Sequence, residues 1–400
     1  MLNNKIPRKS FLTSLSLVTG ATLLPSLLRG GIRMPDNQEL IKCGPYLQSP
    51  RQNQVTIRWI TNKPVYSWIK FGESPTQLDQ IQHQSTDGLA NANTTIQAIT
   101  IDGLKPGKIY YYQILSKEII DFKPYKVTYG NTYTSEILTF KTLKAAGDDA
   151  EIWILNDIHD RPESFQQILQ FHHPDADFIF LNGDMFNWQK DEQQLVDHLI
   201  SPLVKAAGAN IPFILSRGNH ETRGAFARDL HAYFNGVDEK YYYSFTHGPM
   251  YIIVLDSGED KADDHPEYAG LVDFDSYREQ QKQWLEKELQ KKEFKDAKYK
   301  IVFSHIPLFY AGTGHGVQHC RQLWAPLLND AKISVLISGH THVYGLHPPK
   351  AGEHNYPVII GGGPLDHIRT LIKLKYDKTG LRATTFNDSG TQLDSLLIGA

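Results

Sequence analysis

The chain is poor in cysteine: two in 400 residues, which excludes a disulfide framework. Cys43 and Cys320 lie far apart and read as unpaired thiols. An excess of charge is also missing, and a formal net charge of -3 gives no general pull toward nucleic acid or an anionic membrane surface. Internal repeats and low-complexity segments are absent. The longest apolar run, FLTSLSLVTGATLLPSLL, is broken by small residues and Pro25 and is short for a membrane span.

That run follows Lys5, Arg8 and Lys9, so residues 1–33 read as a targeting segment that directs export to a periplasmic or extracellular site. PRKSFL resembles a twin-arginine signal with Lys9 in the second arginine's place, while a Sec signal or an uncleaved anchor fits the same pattern. No stable span is expected beyond the signal. What the chain does have is histidine, 17 residues of it. Any bound metal is therefore expected on His and Asp, not on thiolate.

Residues 38–143 alternate with period two between turn residues, as in VTIRW, TTIQAITIDGL and KIYYYQILSK. Several short strands without helical period predict an all-β sandwich. LKPGKIY, with Leu104, Pro106 and Tyr110, resembles the tyrosine corner of a fibronectin type III domain. LKAAGDDA, Leu143 to Ala150, is small, polar and unpatterned, and reads as a linker. In residues 150–400 buried-strand runs such as EIWILND, DFIFLNGD, YIIVLDS and KIVFSH alternate with helical stretches. SYREQQKQWLEKEL, for example, puts Tyr277, Trp284, Leu285 and Leu289 on one helix face. This part is α/β.

Five apolar runs end in polar clusters: Asp157-Ile-His159, Gly183-Asp184, Gly218-Asn219-His220-Glu221, Ser304-His305 and Gly339-His340-Thr-His342. Strand carboxyl ends converge on one crevice in α/β folds, so these side chains are expected to become neighbours. Singly, each aspartate could cap a helix, the Gly-Asn-His could be only a turn, and His305 could be a hydrogen-bonded core residue. Together they supply hard oxygen and imidazole donors suited to Zn, Mn or Fe.

In this order the motifs resemble the binuclear, calcineurin-like metallophosphoesterase superfamily. With a fibronectin-like domain in front, the arrangement is similar to secreted bacterial relatives of the purple acid phosphatases. The resemblance implies a catalytic β-sandwich flanked by helices and two divalent or trivalent metals. Asp157, His159 and His342 would hold one metal and Asn219, His305 and His340 the other. Asp184 would bridge both, which two carboxylate oxygens permit. It further implies hydrolysis of small phosphate esters by a metal-bound hydroxide, as a phosphomonoesterase. A phosphodiesterase on the same fold and a non-catalytic adhesion protein with a degenerate site are the competing readings.

His220 is expected over the phosphate or leaving group as a protonated acid or charge stabiliser, with Glu221 orienting it or a ligand. Arg217 and Arg223 could fork onto phosphate or simply lie at the surface. PLFYAGTGHGVQHC reads as a mobile loop with His315 as a substrate contact, and His319 and Cys320 as the start of the next helix. The loop carrying Glu259, Asp260, Asp263, Asp264 and Glu267 would form an acidic rim unfavourable to nucleic acid. The purple enzymes carry an iron-binding tyrosine three residues after the bridging aspartate. Here that position is Asn187, while His159 is present in the first motif, so the site is expected to be colourless.

Overall fold

The computed structural model describes residues 40–145, 149–173, 175–234 and 240–399. The targeting segment lies outside the described residues, as does part of the linker. None of the described helices is long and apolar enough to cross a membrane.

The first 100 described residues form a β-sandwich of several short strands, as expected, together with two long ones. Val55–Gly72 runs for 18 residues and Ile109–Lys123 for 15. Residues 55–61 pair with Ile41–Gln48 and Ala92–Ile101, and residues 65–72 pair with Ile109–Lys123 and Gln80–Gln82, Val65 and Tyr66 also keeping partners in Ala92–Ile101. The changeover spans the exposed Asn62–Pro64 turn of the strand, where the ladder to Ala92–Ile101 shifts register. Pro64 has no N–H to offer a ladder, so one strand can leave one layer there and enter the other. Trp59, Ile69, Tyr112 and Phe140 fill the space between the layers. The Tyr110 hydroxyl accepts from Lys105 N at 3.0 Å, the back-bond of a tyrosine corner.

The remaining chain builds two six-stranded mixed sheets. One runs Phe213–Ser216, Phe178–Asn182, Ala150–Leu155, Thr370–Asp377, Gly380–Asn387, Gln392–Ile398, with its first three strands parallel. The other runs Tyr243–His247, Met250–Leu255, Tyr299–Ser304, Val335–Ser338, Val358–Ile360, Gly345–His347, parallel from the second to the fifth. Ile152, Phe180, Val254, Phe303 and Ile372 interdigitate between them. Leu143, read as linker, is buried in this same core. Each sheet's outer face carries helices, Glu163–Leu169 and Ser201–Ala207 on the first, Phe274–Glu288 and His315–Asp330 on the second. This is the helix-flanked sandwich the motifs implied.

On Phe274–Glu288 the apolar stripe is only part of the buried face. Arg278 and Gln281 are fully buried too, because they satisfy backbone groups of residues 256–259. The N-terminal sandwich packs against the first helical layer through Cys43, Tyr46 and Ile60. Tyr46 Oη donates to Tyr233 O, Gln48 Nε2 to Phe213 O and Arg58 Nη1 to Ala232 O. Both cysteines are buried and free.

Candidate metal centre

The parallel strands Ala150–Leu155, Phe178–Asn182, Phe213–Ser216, Tyr299–Ser304 and Val335–Ser338 stop just before the five polar clusters. Their ends bring Asp157, His159 and His342 into one group and Asp184, His305 and His340 into another, with donor atoms within 4.8 Å in each group. Asp157, His159, Asp184, His340 and His342 all have φ between 51° and 71°. Left-handed backbone is costly for residues with a Cβ, so the turns are held there by their surroundings. Two glycines allow the approach. A Cβ on Gly183 would strike the His305 ring, and one on Gly339 would strike the Asp157 carboxylate.

The hydrogen bonds fix which nitrogen of three rings is free. Asn187 Nδ2 donates to Asp160 Oδ2 at 3.0 Å, which turns its Oδ1 toward His159 Nδ1 at 3.2 Å. An amide oxygen only accepts, so the His159 proton is on Nδ1 and the Nε2 lone pair faces inward. His305 Nδ1 sits 2.7 Å from Asn182 O and His220 Nδ1 2.6 Å from Asn187 O, which assigns their protons likewise. His159 Nε2 then lies 3.0 Å from His342 Nε2, 3.6 Å from Asp157 Oδ1 and 3.7 Å from Asp184 Oδ2. His305 Nε2 lies 3.0 Å from the same Asp184 Oδ2.

Donors that face one another at such distances are held together by a shared proton or by a cation between them. Asp157 Oδ1 and His305 Nε2 are buried without a hydrogen-bond partner. Asp157 Oδ2, by contrast, accepts from Asn156 Nδ2 and His340 N. Burial opposes ionisation of both aspartates, yet the neighbouring histidines outweigh it and hold both carboxyls below their usual range. Burial would lower His305, but Asp184 raises it to about 10. Burial and His305 together push His340 down to about 4. The residues fit a pair of transition-metal ions.

One detail differs from expectation. Asp184 Oδ1 is occupied by His220 N at 2.9 Å, so a single oxygen, Oδ2, faces both histidine groups. Asn219 joins the second group through Oδ1, 3.0 Å from His340 Nδ1. Glu221 is fully buried and accepts from Asp184 N, Met185 N and Gly218 N at 2.7–2.8 Å, so it fixes the aspartate's turn instead of His220. Asn187 is the residue that orients His220.

The surroundings of His220 work against the protonated form expected of it. Burial lowers its pKa, and Arg223 Nη1 points at its Nε2 from 3.3 Å. The cation beside this ring is Arg223, whose other nitrogens bind Glu259 at 2.8 Å. Glu259 is therefore buried and paired, not part of an acidic rim, and Asp263 accepts from Phe274 N and Asp275 N at the start of a helix. Arg217 is neither surface nor phosphate ligand. It pairs with buried Asp256 at 2.6 Å and stacks on Tyr241. His315 opens the helix His315–Asp330 where a mobile loop was expected, and its ring is bound to Asp275 and not to the cluster. His319 and Cys320 lie in that helix, as read.

Sequence reasoning missed Asn156 and Asp160, and it placed Glu259 on a rim where it is buried against Arg223. The signal for the first was available, since an amide at the end of a fully apolar strand needs a reason to be there.

Comparison with known proteins gives the same architecture. Residues 150–344 match the calcineurin-like phosphoesterase family, and residues 43–142 match the purple acid phosphatase N-terminal domain. Purple acid phosphatase 22 of Arabidopsis thaliana is 24% identical over 209 residues, 48% of this chain and 44% of that protein. Serine/threonine-protein phosphatase CPPED1 of Mus musculus is 26% identical over 184 residues, 42% of this chain and 54% of that protein. The matched region thus spans about half the length of these curated relatives. Purple acid phosphatase PPD1 from yellow lupin (Lupinus luteus) seeds shares the fold with a TM-score of 0.67 at 15% identity, covering 88% of this chain and 73% of that one. The structure of PhoD superposes with a TM-score of 0.58 at 13% identity over 87% of this chain and 91% of that one. The chain thus carries a calcineurin-like phosphoesterase domain over residues 150–344, preceded by a purple acid phosphatase N-terminal domain over residues 43–142.

Proposed function

We propose that this protein is a metal-dependent phosphomonoesterase acting on small phosphate esters outside the cytoplasm. The observation that carries the reading is the convergence on Asp184 Oδ2 of two imidazole Nε2 atoms, from His159 and His305, whose other nitrogens are tied to fixed acceptors. Asp157, His159 and His342 would hold one ion and Asn219, His305 and His340 the other, with Asp184 between them. When bound, two such ions supply a nucleophile at neutral pH and neutralise phosphoryl charge.

The chain's own residues do the positioning. Asn156, Asn182, Asn187 and Glu221 hold the donors in place, which removes reorganisation from the reaction. Arg223 supplies donors for phosphate oxygens, and His220 Nε2 lies beside it and Asp184, facing the position a leaving group would take. Zn, Mn or ferrous iron suit a site with Asn187 in place of a tyrosinate ligand. Export rests on Lys5, Arg8 and Lys9 ahead of the apolar run. The boundaries 38–143 and 150–400 rest on the change from period-two patterning to alternating strands and helices. The tyrosine corner at Tyr110 supports a fibronectin type III-like fold for the first.

Hydrolysis of p-nitrophenyl phosphate, its bis ester and a phosphoserine peptide by metal-reconstituted protein tests the substrate class. Faster turnover of the bis ester would make it a phosphodiesterase. Absence of bound transition metal together with no turnover of any of the three would make it a binding protein.

A further inference from the structure

One group of metal-capable side chains among the described residues shares nothing with the Asp157–Asp184 centre: Asp275, His315 and His319. His315 and His319 are four apart at the start of His315–Asp330, so their rings fall on one helix face. Asp275 comes from the first turn of Phe274–Glu288, which packs alongside. His315 Nε2 lies 2.9 and 2.8 Å from the two Asp275 oxygens, and His319 Nδ1 lies 2.9 Å from Oδ1.

We propose that Asp275, His315 and His319 form a separate binding site for one zinc-class divalent cation. Two imidazoles and a carboxylate with an open side are a donor set for zinc or its neighbours, the fourth position being left to water. His315 is 43% exposed on its side chain, so the open side faces solvent. The carboxylate is held by a buried residue. Arg278 Nη1 donates to Asp275 Oδ1 at 2.8 Å, while its Nε and Nη2 are fixed by Ser257 O and Glu259 O. That leaves Oδ2 for a metal and supplies the outer support that ligand carboxylates generally have. A cation here would cross-link the starts of two helices to the segment at 257–260 that Arg278 secures.

The test is zinc stoichiometry by equilibrium dialysis and elemental analysis of the full chain, compared for wild type, His319→Ala, His315→Gln and Asp184→Asn. The expectation is one zinc fewer in each of the first two variants than in wild type, while Asp184→Asn loses metal elsewhere and keeps this equivalent. Zinc should also slow amide hydrogen exchange over residues 315–320 in wild type and Asp184→Asn but not in His319→Ala. His315→Gln changes an exposed ring, so it reports on the site even if His319→Ala fails to fold. Equal zinc content in wild type and His315→Gln at the same free zinc would overturn the proposal. The difference is independent of how many ions the Asp157–Asp184 centre holds, so failure of either reading is seen separately.

Discussion

Asn187 serves two histidines at once: its side-chain oxygen is 3.2 Å from His159 Nδ1 and its carbonyl is 2.6 Å from His220 Nδ1. Through Asp160, which accepts from both its amide and its backbone N, it also fixes its own orientation.

Asn187→Leu should therefore free the His159 ring without removing a metal donor. The expected result is metal binding weaker by about 10–100-fold in a chelator competition, with the far-ultraviolet circular dichroism unchanged. Iron-loaded wild type should show no tyrosinate-to-iron band in the visible spectrum, because the residue at 187 is an amide.

Asp184→Asn should remove the oxygen that faces both groups while keeping the size of the side chain. Turnover is expected to fall by more than about 100-fold, with at least one metal equivalent lost on elemental analysis. Retained turnover would mean that the bridge lies elsewhere.

Arg223 and Glu259 can be separated by a double-mutant cycle. Glu259 is 1% exposed, so Arg223→Ala strands a buried carboxylate. Urea unfolding should show a loss of about 2–3 kcal/mol, less than for a fully buried pair because the arginine is 30% exposed. Adding Glu259→Gln should restore part of that stability but not the activity, since His220 still lacks its cation.

His172 predicts an acid-side loss of stability. Burial, with help from Lys373, pushes its pKa down from 6.5 to about 4, and the ring packs edge-on against Phe386. The unfolded chain therefore binds a proton that the native state refuses between these two values. Stability is complete above pH 6.5 and falls as the pH drops toward 4. Unfolding free energies across that window should decline by about 1–2 kcal/mol more in wild type than in His172→Phe, the full shift being discounted for partial exposure.

The cluster was legible in the sequence because each donor ends an apolar run, and fold topology converts strand ends into neighbours. Asp157, His159, Asp184, Asn219, His305, His340 and His342 are gathered as that argument predicts. What supports them was less legible, since Glu221 reaches the Asp184 turn and Asn187 reaches two rings through contacts that leave no periodic trace. Charge was the poorest guide. Glu259 and Arg217 read as surface residues, and both turn out to be paired across elements distant in sequence. The long strand Val55–Gly72 was obscured because Pro64 looks like a terminator when it is a corner.

The left-handed backbone at Asp157, His159, Asp184, His340 and His342 restricts which replacements any relative of this chain could carry there. Asparagine and aspartate adopt that conformation with least strain, whereas glutamine, glutamate or a β-branched residue would fight the main chain before any question of coordination arose. An imidazole at these positions is thus most readily exchanged for a short amide or carboxylate. On this backbone a change of ligand is easiest toward a short oxygen donor.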